Sequence, residues 1–143
     1  MIALDTDVLA IYFIFKWDKR YRYSKTIIES DISKATTIVN VLELTGLMAI
    51  AQNATKARQL FLLLHRRRDF EILFWKKWYS QLAYISKLLD YILRQMSFSD
   101  AQIAWILEEN DVDTLITWNK RHFQGRGSFE TITPEEYLKG NLP

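Results

Sequence analysis

Four stretches of this 143-residue chain carry an oxygen-bearing side chain where an open α/β sheet would present it. Asp5 directly follows the apolar run Met1–Leu4, and Glu43 comes just after the β-branched run Thr36–Val39. Asp100 stands at the start of a helix opened by Ser97 or Ser99, and Asn119 follows Thr114–Trp118. Ligands of open parallel sheets bind beyond the carboxyl ends of the strands, so these junctions are where chemistry is expected. Three carboxylates on one rim repel one another by a few kcal/mol per pair at an effective dielectric near 20. Helix N-termini offset part of that repulsion. A divalent cation offsets far more. The chain has no cysteine, and its two histidines, His65 and His122, are far apart in sequence. The donor set is therefore all oxygen, which selects Mg²⁺ or Mn²⁺ over Zn²⁺. Such an ion keeps water and holds phosphate oxygens, so the natural chemistry is phosphoester hydrolysis.

Each position also has a purely local role open to it. Asn40-x-x-Glu43 and Ser97-x-x-Asp100 both have the spacing of a capping box. Asp7 is a natural N-cap for the apolar run Val8–Phe15, and Asn119 is a natural turn residue. Thr117 either offers its hydroxyl to a phosphate oxygen or is an ordinary strand threonine. Asp5 resists such a reading, because the end of a buried strand is a costly place for a charge. Asp111 and Asp113 precede the strand at Thr114 and belong to the opposite rim.

The elements that must position these groups follow from periodicity. Strands are expected at Met1–Leu4, Thr36–Val39, Phe70–Trp75, Thr114–Trp118 and Glu130–Ile132. Helices are expected over Val8–Phe15, Tyr23–Ser30, Val41–Ala51 (with Asn40 as cap), Ala54 to Arg67 (with Asn53 as cap) and Ser99–Asn110. Trp78, Leu82, Ile85, Leu89, Ile92 and Met96 step by three and four, which predicts a long amphipathic helix over Lys77–Gln95. Thr133-Pro134 opens a terminal helical turn. Strands separated by helices imply parallel crossovers and a three-layer α/β/α sandwich around a central, mainly parallel sheet. No repeat, linker or composition break divides residues 1–143, which read as one domain.

With these motifs in place, the sequence resembles the PIN-domain ribonucleases. Asp5 in ALDTDVLA, Glu43 in TIVNVLELTGL, Asp100 in SFSDAQIA and Asn119 in TLITWNKRHF match the family's motifs in order, and the likeness extends to the TITPEEYL ending. The nearest likeness is to small members such as the virulence-associated protein C (VapC) toxins. The resemblance implies a Mg²⁺- or Mn²⁺-dependent endoribonuclease that leaves a 5′-phosphate and a 3′-hydroxyl with no covalent intermediate. Asp5, Glu43 and Asp100 would then ligate metal or orient water. Asn119 would take a fourth, usually acidic, position and contribute a neutral ligand. Asp7 stands where the family usually has a small polar residue and would support metal or water. The resemblance further implies a homodimer and a small antitoxin partner. It leaves a toxin and an RNA-processing enzyme both open.

Composition sets the outer bounds. The chain is 49% hydrophobic, 14% aromatic and 25% charged, which excludes disorder and low complexity. Its longest apolar run, Val8–Phe15, is too short to span a bilayer, and a cysteine-free chain suits a reducing compartment, so a cytoplasmic protein is expected. A formal net charge of +2 is not that of a protein that coats nucleic acid. The run Arg66, Arg67, Arg68 is either a helix end complementing the dipole or a phosphate-contacting patch for an RNA substrate. His65 beside it is a second candidate phosphate contact, and His122 a candidate base. Trp17, Trp75, Trp78, Trp105 and Trp118 are expected mostly in core or interface, with base stacking as the alternative. Two other functions fit parts of the pattern. Asp5-Thr6-Asp7 after an apolar strand matches the DxD of haloacid-dehalogenase-type phosphatases, without their glycine turn or later acidic pair. A PIN-like fold can also serve as a non-catalytic interaction module, a reading that Asn119 favours weakly.

Overall fold

Apolar residues alternate between the two faces of a short central strand, and this alternation organises the molecule. The computed structural model describes residues 1–141. Strand β1 (Ile2–Leu4) pairs on one side with β2 (Lys34–Thr37) and on the other with β4 (Thr114–Ile116). Outside these lie β3 (Phe70–Leu73) and β5 (Glu130–Ile132), giving the order β3-β2-β1-β4-β5 with every pair parallel. Ala3, Ala35, Leu73 and Leu115 point to one face and join Ile103, Trp105 and Leu107 of helix α6 (Phe98–Glu109) and Leu88 of α5 (Gln81–Ile92). Leu4 and Ile116 point to the other face. There they meet α1 (Thr6–Phe13), α2 (Tyr21–Ile28), α3 (Ile38–Ala51) and α4 (Ala54–Arg66). Tyr137 and Leu138 of α7 (Pro134–Asn141) pack at the margin of that second layer. The result is the three-layer α/β/α sandwich that the alternation of elements predicts.

Aromatic packing anchors the α5–α6 layer. Trp105 is fully buried, with the rings of Trp75, Tyr79, Tyr84 and Tyr91 at centroid distances of 5.0–6.4 Å. Ring pairs in this range each add about 0.5–1.5 kcal/mol beyond the area they bury. Trp105 thus has the interior place expected of it, and Trp75 packs against it partly buried.

Several boundaries differ from expectation, each for a local reason. Strand β2 starts at Lys34 and ends at Thr37, two residues earlier than the β-branched run suggests. The Lys34 ammonium is buried yet satisfied, donating to the Ser30 and Ile32 carbonyls (2.7 and 2.8 Å) and lying 3.3 Å from Asp69. Thr37 then caps α3: its hydroxyl accepts from the Asn40 N–H at 3.1 Å, and its own N–H donates to Asn40 Oδ1. A cap of this kind outweighs the modest β preference of Ile38 and Val39, which turn helical. Strands β3 and β4 stop at Leu73 and Ile116, short of Trp75 and Trp118.

The long amphipathic helix is also shorter than expected. Ser80 caps it, so α5 begins at Gln81 and Trp78 lies outside it, fully exposed. Its buried residues are Leu88 and Tyr91, whereas Leu82, Ile85, Leu89 and Leu93 face outward. Of the three-four stripe, Leu82, Ile85 and Leu89 stay outside the packing on the sheet, whereas Ile92 and Met96 at its end join that core. Among the described residues no helix is long and apolar enough to cross a membrane.

Candidate active site

At the carboxyl rim of β1 the chain must turn from strand into helix, and Asp5 makes the turn. Its N–H extends the ladder to the Ile116 carbonyl at 3.0 Å, while its side chain caps α1 by accepting from the Thr6 N–H at 2.8 Å. Asp5, not Asp7, is therefore the cap of α1. The buried carboxylate also accepts from Asn40 Nδ2 (2.9 Å) on Oδ1 and from the Thr117 hydroxyl (2.7 Å) on Oδ2. Asp7 reaches across to the end of β4, where one oxygen accepts from the Trp118 and Asn119 N–H groups at 3.0 and 3.2 Å. Its other oxygen is buried with no partner among the described residues. The Thr117 hydroxyl lies 3.3 Å from Asp7 as well as 2.7 Å from Asp5, but it has a single proton to share between them.

Glu43 lies one turn into α3, deeper than expected because that helix starts early. Its two oxygens accept from the hydroxyls of Thr6 and Ser99, each at 2.7 Å. Thr6 in turn accepts from Asn40 Nδ2 at 2.9 Å. A continuous chain of hydrogen bonds thus links Asp5, Asn40, Thr6, Glu43 and Ser99 across three elements. Asn40 is buried and joins the strand-end acid to the helix acid, a role its expected capping position conceals. Asp100 occupies the first turn of α6, where its N–H donates to Ser97 Oγ at 3.2 Å. Its carboxylate turns away from the cap and faces His122 Nδ1 at 3.2 Å.

The electrostatics separate Asp5 and Asp7 from ordinary acids. Burial pushes the Asp5 carboxyl well above the usual carboxylate range, and the neighbouring Asp7 raises it further, against the opposing bonds from Thr117 and Thr6. Burial likewise raises Asp7, opposed chiefly by the Trp118 N–H. Arg20 lines the same cleft as these acids and feels the Asp7 charge. It is committed to Asp18 by a two-pronged contact at 3.0 and 2.9 Å and lies 5.5 Å over the Trp118 ring.

The acids share one cleft of about 540 Å³, whose walls include Asp5, Asp7, Glu43, Asp100, Asn119 and His122. The sequence-predicted acids and Asn119 are thus brought together, with Thr117 buried beneath Asp5. The Arg run is not with them. Arg66, Arg67 and Arg68 precede β3 at the amino rim, and Arg67 is bound to Asp69 (2.7 Å) and the Ile28 carbonyl (3.1 Å). His65 is exposed on α4 with Nδ1 against the Phe61 carbonyl at 2.7 Å. Sequence reasoning missed Asn40, Thr6 and Ser99, although all three stand within three residues of an acid it did select.

A hard divalent ion suits this cleft in donor type and charge: all the acids offer oxygen, and one Asp7 oxygen is buried and unpartnered. No three acidic or imidazole side chains among the described residues yet converge closely enough to enclose an ion. Hydroxyls, amides and His122 occupy most of the acids' carboxylate oxygens.

No protein-family model matches this sequence, and no curated protein does either. Solved structures match over most of the chain. A toxin–antitoxin complex from Klebsiella pneumoniae aligns over 94% of this chain and 98% of its own, with a TM-score of 0.62 and 16% identity. VapBC-1 from nontypeable Haemophilus influenzae aligns over 94% and 99%, with a TM-score of 0.63 and 20% identity. VapC20 of Mycobacterium tuberculosis, described as a sarcin–ricin loop cleaving toxin, aligns over 80% and 87%, with a TM-score of 0.60 and 13% identity. At such identities the likeness speaks for the fold. The chain has the PIN-like fold of these structures, two of which are named as VapC-type.

Proposed function

We infer that this chain is a Mg²⁺- or Mn²⁺-dependent endoribonuclease acting as the toxin of a toxin–antitoxin pair. One observation carries the reading: Asp5, Asp7, Glu43 and Asp100 face a single cleft at the carboxyl rim, and burial raises Asp5 and Asp7, neither of which forms a salt bridge among the described residues. A catalytic site keeps such charges uncompensated, whereas a structural site pairs them. Asp5, Glu43 and Asp100 would hold the ion, with Asn119 as a neutral fourth ligand and Asp7 in support. When bound, the ion supplies an acidified water and a positive charge for the phosphoryl oxygens.

The protein's own groups do the rest. The Thr6 and Ser99 hydroxyls hold Glu43 in one orientation, and Asn40 fixes Asp5 relative to it. Thr117, buried and bonded to Asp5, is a positioning group and not a phosphate contact. Both Asp5 oxygens accept hydrogen bonds, which suits a fixed ligand better than the nucleophile of a dehalogenase-type phosphatase. The toxin assignment leans on the toxin–antitoxin neighbours. An RNA-processing role would use the same site. A small antitoxin is the partner this assignment calls for.

Purified protein should cleave RNA with Mn²⁺ and stop on addition of EDTA. Asp100→Asn should lower the rate at least about a hundredfold with an unchanged circular dichroism spectrum. Retained activity in Asp100→Asn would refute the site, and a wild-type protein with neither activity nor a Mn²⁺-induced rise in melting temperature would be a non-catalytic module. The homodimer belongs to the same reading. Trp78, Leu82, Ile85, Leu89 and Leu93 stand exposed on and beside α5, and a second copy would cover them. Light scattering should give twice the 17.0 kDa chain mass, falling to one chain in Leu89→Asp.

A further inference from the structure

The acid cleft has one wall that the chemistry described so far does not use. Between α1 and α2 the chain runs Phe15-Lys16-Trp17-Asp18-Lys19-Arg20, and Phe15, Trp17, Asp18 and Arg20 line the same cleft as the acids. Trp17 is 82% exposed, which is unusual for the largest apolar side chain on a folded surface. The edge of Phe15, at a centroid distance of 6.2 Å, supports its ring from one side only. Asp18, the loop's single acid, is consumed by Arg20 through three hydrogen bonds of 2.8–3.0 Å, and this holds its carboxyl down at about 2. Lys16 and Lys19 are exposed and pair with no carboxylate among the described residues, so the loop presents an aromatic face flanked by unspent positive charge.

We propose that this loop is the substrate-reading element of the cleft: a base of single-stranded RNA stacks on Trp17, and Lys16 and Lys19 contact the flanking phosphates. The proposal rests on the nuclease reading and adds to it the class of RNA that enters and the residue that grips it. An aromatic ring interleaved with cations suits a strand whose bases are unpaired, since every such base offers a flat face and a nearby phosphate. Duplex RNA hides those faces in its stack and is excluded on the same ground. The placement also resolves an electrostatic difficulty. An acidic cleft repels a polyanion, so the substrate must be held beside the acids by cations that are not themselves neutralised there. The Arg66–Arg68 run cannot do this from the opposite rim.

The test is binding of a fluorescein-labelled uridine decamer, followed by anisotropy in Ca²⁺ in place of Mg²⁺ or Mn²⁺. A duplex RNA of the same length serves as comparison. Trp17→Ala should weaken decamer binding by about tenfold and Trp17→Phe by much less, with little change for the duplex. Replacing Lys16 and Lys19 together by alanine should flatten the salt dependence, by about 0.7 in slope for each phosphate left without its lysine. Under cleavage conditions Trp17→Ala should raise KM about tenfold and leave kcat within about twofold. Because Trp17 is exposed, the variant should melt with the wild type, so a loss of binding is not a loss of fold. Unchanged affinity in Trp17→Ala, with the wild type binding the decamer, overturns the proposal and assigns the loop to a protein partner, while the nuclease reading stands. A wild-type protein that binds neither RNA overturns both.

Discussion

The two rims of the central sheet handle their acids in opposite ways. At the amino rim, Asp69 meets the Arg67 guanidinium at 2.7 Å and the buried Lys34 ammonium at 3.3 Å, and these hold its carboxyl well below the usual range. At the carboxyl rim, Asp5 and Asp7 meet hydroxyls, amides and each other, and burial drives both up. The same strands connect the two rims, so the difference does not come from the scaffold. It comes from which residues the chain places at each end. The amino rim is built to be stable as it stands. The carboxyl rim is built with a deficit of positive charge, and such a deficit persists where something outside the chain removes it.

Exchanging acid for amide at each rim sharpens this contrast most. Asp69→Asn leaves Lys34 buried without its carboxylate and should destabilise the protein by about 2 kcal/mol. That is below the 3–5 kcal/mol typical of a fully buried pair, because Asp69 is 31% exposed and Lys34 keeps two carbonyl acceptors. Asp5→Asn should have the opposite sign. It removes a buried carboxyl that must either bear an unpaired charge or hold a proton above its ordinary range, and it should stabilise the metal-free chain by about 1 kcal/mol. Urea unfolding in EDTA reads both, and a loss of stability in Asp5→Asn would erase the distinction between the rims.

The pH dependence separates the rims more finely. An acid whose value is raised in the folded state keeps a proton that the unfolded chain has already lost, so stability falls as pH climbs above the ordinary carboxylate range. Asp5 and Asp7 impose that decline. Asp69, whose value is lowered, contributes stability above the unfolded carboxylate value and loses it as pH drops through the acid range. In EDTA the melting temperature should therefore fall between about pH 5 and about pH 8, and saturating Mn²⁺ should abolish the fall. A flat metal-free profile would mean that Asp5 and Asp7 are compensated after all.

How much of this was legible in the sequence depends on the range of the interaction concerned. Asp5, Glu43 and Asn119 could be placed at one rim because each follows the carboxyl end of a strand, and such ends follow from local pattern, whereas Asp100 opens α6 after another helix, α5, and reaches the cleft through the packing of α6. The alternation of strands and helices fixed the three layers in the same way. Asn40 and Asp7 show the limit of that pattern, because a residue near a helix start has a cap's spacing whether or not its side chain turns elsewhere. Asn40 turns to Asp5 and Thr6, and Asp7 to the end of β4, partners 34 to 112 residues away. The start of β2 was missed because a buried lysine is intelligible only once Asp69, from another strand's approach, lies beside it. The α5 stripe shows a different limit. Periodicity reveals that a helix has an apolar face, but not whether the sheet or another molecule covers it.

His122 offers the smallest and most local test of the comparison. It is the one imidazole in the acid cleft, 3.2 Å from Asp100, yet its side chain is 53% exposed and solvent can screen the pair. An exposed pair of this kind contributes at most about 1 kcal/mol, so His122→Ala should change the melting temperature little. Its effect should fall instead on the ion. Removing the imidazole frees an Asp100 oxygen that His122 otherwise engages, so Mn²⁺ should bind the variant as tightly as the wild type or a few-fold more tightly. Cleavage at saturating Mn²⁺ should then drop by less than about tenfold, short of the range expected for a general base. A loss of a hundredfold or more would move His122 from a partner of Asp100 into the chemistry itself, and the carboxyl rim would then depend on a titrating base as well as on its acids.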